Sequence, residues 1–259
     1  MARLPISVFL ITKNEEARLP ATLAALDWAD QIVVVDSGST DRTAEIARAA
    51  GAAFHHRDWT GYGPQKRFSE TLCKHDWMLN LDADEVVTGA LAAELRQLWS
   101  SPPPPGAWRV RILNVYPGEL RPRPFANDYN VVRLYHRQTG GYRDHPLFDR
   151  VELAAGVTPG QLTAPLHHFP LTDWHQFIEK ENRYSSYQAE TATPRRRTGL
   201  ILRLVVEMPL SFLKFYLLRR HLTGGWKGFF FALAASFARA ARIAKMLERS
   251  GRPGRTGGK

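Results

Sequence analysis

Cysteine is nearly missing from this chain of 259 residues. Cys73 stands alone, which excludes an intrachain disulfide and a cysteine-based metal site and fits a reducing compartment. Its expected role is that of a small core residue. No run reaches the roughly 18 uninterrupted apolar residues of a spanning helix. The opening MARLPISVFLITKNEE lacks the pattern of a secretory signal, because its apolar run is short, ends in charge and precedes no small-residue cleavage site. No Gly-x-Gly-x-x-Gly follows the first apolar run, and no Gly-x-x-x-x-Gly-Lys-Ser/Thr occurs. Those two absences argue against a dinucleotide fold and a P-loop enzyme. No internal repeat is visible. Acid is the scarcer charge, with 25 Asp and Glu against 35 Lys and Arg and a formal net charge of +10. That excess predicts an anionic partner: nucleic acid, anionic lipid or a phosphorylated substrate.

What is present begins with an apolar fraction of 44%, enough for a real core. The first hundred residues alternate strand and helix signals. ISVFLIT (Ile6 to Thr12) reads as a buried strand, and Leu19, Leu23 and Leu26 then repeat at helical spacing. QIVVVD (Gln31 to Asp36) is a β-branched run of strand length. Gly and Ser turn the chain after it, Asp41 can cap a helix, and Gly51 suits its end. A further helix is predicted from Gln65 to Cys73, followed by the strand WMLNL. Such alternation implies a doubly wound, mostly parallel sheet. Four prolines make SSPPPPG a break. Strands are expected again in AWRVRILNVY and NVVRLYHR. A second break falls at TATPRRRTG.

In an open parallel sheet, ligands bind beyond the carboxyl ends of the strands. Three polar clusters fall there: Thr12-Lys13-Asn14-Glu15, Asp36-Ser37-Gly38-Ser39 and Asp82-Ala83-Asp84-Glu85. The last sets three acids directly after an apolar strand, where like charges raise each other's pKa unless a cation or substrate uses them. Asp36 and Asp41 also suit turn and cap chemistry. Asp-x-Asp offers hard oxygen ligands suited to Mg²⁺ or Mn²⁺ bridging a diphosphate. His167, His168 and His175 have too loose a spacing for zinc. Trp174, Phe177, Tyr184 and Tyr187 recur near helical spacing, which points to core packing.

The stretches SVFLITKNEE, IVVVDSGSTDRT, WTGYGPQKRFSE, DWMLNLDADE, VVRLYHR and YSSYQAE together resemble the inverting family 2 glycosyltransferases of the GT-A fold. The subgroup most similar is that of the lipopolysaccharide core β-1,4-glucosyltransferases. LLRRHLTGGWKGFFFAL resembles that subgroup's carboxyl-terminal segment. The resemblance implies that Thr12, Asn14 and Glu15 contact base and ribose, and that Asp36 binds the uracil ring. It implies that Gln65 and Lys66 line the nucleotide pocket, that Asp82 holds ribose or sugar hydroxyls, and that Asp84 ligates the metal. Lys13 departs from the pattern, since many relatives carry a base-stacking aromatic there. An inverting transfer needs a carboxylate to deprotonate the acceptor hydroxyl. Asp149 is the leading candidate, followed by Asp144, then His145 and Asp128.

Beyond Arg195 basic residues interleave with Leu, Phe, Trp and Tyr, a pattern of helices lying in a membrane interface. Pro209 argues against one straight span. Packing on the catalytic domain or an oligomer contact is the alternative, while GFFFALAASF is too apolar for a nucleic-acid groove. The expected organisation is a GT-A domain over residues 1–194, a basic amphipathic helical extension over 195–250 and a disordered tail over 251–259. The expected function is metal-dependent transfer of a hexose from a nucleoside-diphosphate sugar, UDP-glucose above others, to a lipid-linked or lipopolysaccharide-core glycan. Its place would be the inner, anionic face of the cytoplasmic membrane. A non-catalytic sugar-nucleotide-binding scaffold and a nucleotidyltransferase are the alternatives.

Overall fold

The computed structural model describes residues 2–126, 128–145, 149–193 and 196–250. The expected boundary at residues 194–195 and the expected disordered tail lie outside the described residues. Contacts group the chain into two compact units, Met1–Val115 with Asp128–Pro170, and Tyr116–Asn127 with Leu171–Lys259.

The first unit runs β1 (Leu4–Thr12), α1 (Leu19–Ala24), β2 (Ala29–Asp36), α2 (Thr43–Ala49), β3 (Ala53–His56), α3 (Tyr62–Thr71), β4 (Trp77–Asp82), β5 (Glu85–Val87) and α4 (Gly89–Leu98). It continues with β6 (Ala107–Asn114), β7 (Asp128–His136), β8 (Gly140–Tyr142), β9 (Val151–Leu153), β10 (Gly160–Gln161) and β11 (Leu166–His168). The main sheet has the order β3-β2-β1-β4-β7-β6-β11-β5, with β10 on β6. The expectation of parallel strands holds for β3, β2, β1 and β4. β10 and β11 also run parallel to β6, as a mostly parallel sheet requires, whereas β7 is antiparallel to both β4 and β6, and β5 to β11. The α/β architecture therefore carries a mixed sheet.

The parallel half is covered on both faces, which is why its strands read as continuous apolar runs. Val8 and Leu10 of β1 join one core with Leu19, Leu23, Ala47, Leu91 and Leu95 from α1, α2 and α4. Phe9 points the other way, into a second core with Phe68 and Leu72, and Cys73 is buried there as expected. Burying each large aliphatic side chain stabilises the fold by about 1.5–3 kcal/mol. The parallel register sets Thr12 beside Asp36 and Ile11 beside Asp82. Three strands thus end at one line.

The second unit consists mainly of α5 (Trp174–Glu190), α6 (Arg197–Leu213), a π turn (Lys214–Leu218), a 3₁₀ turn (His221–Gly224) and α7 (Gly225–Ser250). Asp173 caps α5 by accepting from the Gln176 amide at 2.7 Å. Pro209 does not break α6 as its chemistry suggests; the helix carries it in its interior and runs on into the π turn. Buried Gly228, Ala232, Ala235 and Ser236 give α7 a small-residue face. Gly228 is obligatory, because an added Cβ would lie 1.8 Å from the His221 carbonyl oxygen. Glu207, largely buried, accepts from Arg203 at 2.8 Å and Arg239 at 2.7 Å, tying α6 to α7. Phe177 stacks on Phe231 in the core, but Tyr184 and Tyr187 are exposed, so the expected aromatic packing holds only for the first turn of α5. Among the described residues no helix is long and apolar enough to cross a membrane.

Candidate active site

The loops after β1 and β2 are stitched together by side chains. The Asn14 amide donates to Ser39 Oγ at 2.8 Å, and Asn14 Oδ1 accepts from the Thr40 amide at 2.9 Å. The Glu15 amide donates to Thr43 Oγ1, the Glu16 amide to Asp41 Oδ2, and the Arg42 amide to Glu16 Oε2. Asn14 sits in the left-handed region at φ 57°, which Asn tolerates better than most residues. Asp36 accepts from Thr12 Oγ1, Ser39 Oγ and the Gly38 and Ser39 amides. All four of its lone-pair positions are taken up by its own loop and by Thr12.

Gln65 and Lys66 are adjacent on α3, and both are fully buried, yet they serve different neighbours. Gln65 Nε2 donates to Ser37 Oγ at 3.2 Å and to the Arg57 carbonyl at 2.9 Å. The carbonyl partner fixes the amide orientation and leaves Gln65 Oε1 buried without a hydrogen bond. Lys66 reaches the acidic cluster instead. Its Nζ lies 3.0 Å from Asp82 Oδ1 and 2.5 Å from Asp149 Oδ1, and 5.3 Å from the Tyr142 ring centre.

The three acids after β4 have three separate fates. Asp82 meets Lys66 on one oxygen and Arg133 on the other, at 2.9 Å. Burial raises its pKa, but the Arg133 guanidinium and the Lys66 ammonium outweigh burial and hold it well below the carboxylate range. Glu85 is fully buried; it accepts from the Asp82 amide at 3.0 Å and from Arg133 at 2.5 Å. Its burial dominates and pushes it up to about 7. Asp84 turns the other way, to Arg18 at 3.1 Å and His168 Nε2 at 3.3 Å. His168 Nδ1 contacts Asn114 Oδ1 at 2.8 Å, which orients the ring. Arg18 also pairs with Glu15, whose pKa burial raises.

Arg133 was not among the expected site residues. It is buried in β7 and also donates to Asn80 Oδ1 at 2.6 Å. A lone arginine inside the apolar run VVRLY is the signal that finds it, because a buried guanidinium needs carboxylate partners. Tyr142 was missed as well; its hydroxyl donates to Asn80 at 2.8 Å, and burial pushes it up to about 12. A cavity of about 610 Å³ opens beside Asp82, lined by Tyr129, Asn130, Arg133, Tyr142 and Asp149 among others. Asp149 thus joins Asp82 through Lys66. Asp144 is exposed and is not part of this wall, and His145 is exposed too. The Asp128 backbone opens β7.

The arrangement offers a loop pair and a buried amide for a nucleotide, paired acids for a sugar or a metal, and a carboxylate facing a cavity. The model of the family described as glycosyl transferase family 2 matches residues 7–151. An uncharacterized glycosyltransferase of Rickettsia bellii is 34% identical over 257 residues, covering 95% of this chain and 87% of that protein. The lipopolysaccharide core biosynthesis glycosyltransferase LpsC of Rhizobium meliloti is 30% identical over 252 residues, covering 95% and 93%. The match to the solved S. aureus TarS 1-349 covers 96% of this chain and 92% of that one, at 14% identity and a TM-score of 0.45. The match over more than half the chain, with relatives aligned nearly end to end, makes this protein a member of glycosyltransferase family 2 and a nucleotide-sugar-dependent glycosyltransferase.

Proposed function

We propose that the protein transfers a hexose, with inversion, from a UDP-sugar to a lipopolysaccharide-core or other lipid-linked glycan. UDP-glucose is the donor of choice in this reading. The observation that carries it is the Lys66 bridge, which joins the Asp82 turn to Asp149 at the wall of a cavity. The similarity to LpsC over nearly the whole chain supports the acceptor class.

The donor's base belongs with Thr12, Asn14, Glu15, Asp36 and Gln65. Gln65 Oε1 lacks a donor, and the imide N–H of uracil is of the kind that satisfies it. Asp36 reaches the base by exchanging one hydroxyl partner. Asp82, with both oxygens pinned by cations, is oriented for sugar hydroxyls. Asp149 takes the proton of the attacking acceptor hydroxyl, and Lys66 fixes its position.

A divalent cation fits this donor set. Asp84 would supply a carboxylate and His168 an imidazole; the carboxylate suits either ion, and the imidazole favours Mn²⁺ over the harder Mg²⁺. Among the described residues no group of three or more ligands could hold a metal ion. Asp84 and His168 would therefore hold the cation only together with other ligands, and its binding would be coupled to that of the donor. When bound, the cation neutralises charge on the departing diphosphate.

The second unit supplies the membrane contact in this reading. Leu202, Val205, Leu210, Leu213 and Leu217 are exposed along α6 and the following π turn, with exposed Lys214, Arg219 and Arg220 nearby. Apolar residues at helical spacing with basic neighbours suit an anionic bilayer surface. The test is a panel of nucleotide sugars with Mn²⁺, reading nucleotide release in the presence of deacylated core oligosaccharide. UDP-glucose turnover that EDTA stops supports the proposal. Full turnover in EDTA, or turnover only with donors other than UDP-sugars, overturns it.

A further inference from the structure

The cavity beside Asp82 has a charge inventory that does not close. Lys66 and Arg133 share three acids between them, Asp82, Asp149 and Glu85. Two further cations line the same cavity, Arg109 of β6 and Arg150 next to Asp149. Both are exposed, and neither forms an ion pair with the described side chains. The nucleotide loops after β1 and β2 contribute no residue to this wall; β6, β7 and the approach to β9 do.

We propose that this cavity is the acceptor subsite and that the acceptor carries an anionic group, a phosphate or a carboxylate, bound by Arg109 and Arg150. The inference rests on the reading of Asp149 as the base that meets the acceptor. An acceptor hydroxyl delivered to Asp149 brings the rest of the glycan against the same wall. Guanidinium groups take phosphate and carboxylate through paired N–H donors, so they set both affinity and orientation. Among the described residues, each acid lining the cavity, Asp82 and Asp149, already holds Lys66 or Arg133. The pair selects a charged glycan over a neutral one of the same shape. The donor's diphosphate is the other anion in the reaction, and the experiment separates the two.

The test uses the full chain saturated with UDP and Mn²⁺, and measures the thermal shift produced by glucose 6-phosphate, glucuronate and glucose. We expect a shift with one or both anions and none with glucose, lost in Arg109→Ala and Arg150→Ala. A response to phosphate alone or carboxylate alone names the group. Equal responses to all three probes, or anion shifts that persist in both variants, overturn the proposal. A kinetic arm uses deacylated core oligosaccharide, native, dephosphorylated and carboxyl-reduced. The acceptor KM should rise about tenfold or more in each variant, as for loss of one charge-assisted contact, while the donor KM stays within about twofold. A rise in donor KM instead assigns the arginines to the diphosphate and overturns the proposal. If no oligosaccharide is used although the anion shifts appear, the acceptor class proposed above fails and the anion subsite stands.

Discussion

Replacing Arg133 by Met tests the network at its centre. The side chain is 7% exposed and its partner Glu85 is 0% exposed, so neither charge has water to fall back on. Asp82 is 36% exposed and keeps Lys66, so it tolerates the loss better. Removing one member of a buried pair costs about 3–5 kcal/mol. Protonation of Glu85 limits that cost, and makes it depend on pH. In the wild type Glu85 is raised from 4.5 to about 7. The native state therefore holds a proton that the unfolded chain releases across that window, and the Glu85 contribution falls as pH rises through it. Without Arg133 the native pKa moves higher still. The variant then goes on losing about 1.4 kcal/mol per pH unit above 7, where the wild type has levelled off. The expected loss is about 2–3 kcal/mol at pH 6, mostly hydrogen bonds to Asn80 and Asp82, growing toward about 4 kcal/mol at pH 8. Urea denaturation followed by tryptophan fluorescence reads it, since Trp28 and Trp77 are buried in the first unit. Adding Glu85→Gln should flatten the pH dependence of the variant. A loss below about 1 kcal/mol, or one that does not change between pH 6 and 8, refutes the reasoning.

Three further outcomes are expected. Asp84→Asn should weaken calorimetric UDP binding about tenfold or more when Mn²⁺ is present and much less when it is absent; equal weakening in both removes Asp84 from the metal. Asp149→Asn should lower kcat by about 10²–10⁴ with the donor Kd nearly unchanged, whereas Asp144→Asn stays near wild type; the reverse pattern moves the base to Asp144. The triple change Leu202→Glu, Val205→Glu, Leu210→Glu should abolish sedimentation with anionic liposomes and shift Tm by no more than about 2 °C, because all three side chains are already exposed. Undiminished sedimentation places the membrane contact elsewhere.

Much of this was legible in the sequence because the parallel half of the sheet is buried on both faces. ISVFLIT and QIVVVD have no polar face to disguise them, and the polar residues that end them mark the site edge. The strands the sequence did not show are β3, β5, β8, β9, β10 and β11; β5 and β11, which carry the site, are three residues each. Neither is long enough to show a period, and β11 is bounded by prolines in PLHHFP. Their antiparallel pairing is what brings His168 to Asp84. The adjacency of Gln65 and Lys66 suggested one pocket. Successive positions on a helix point about 100° apart, and the two side chains serve separate ones. The repulsion expected among Asp82, Asp84 and Glu85 is relieved by Lys66, Arg133 and Arg18, which come from three distant segments that only the fold assembles.

The stitching of the two loops after β1 and β2 has a consequence for how this protein can drift. Asn14 with Ser39 and Thr40, Glu15 with Thr43, and Glu16 with Asp41 and Arg42 are partners separated by about 25 positions in the chain. A change on one side leaves an amide or a side chain on the other without its hydrogen bond. Substitutions across the pair are therefore non-additive. Under the proposed reading of these loops as the nucleotide site, a change of nucleotide preference requires compensating substitutions on both loops together.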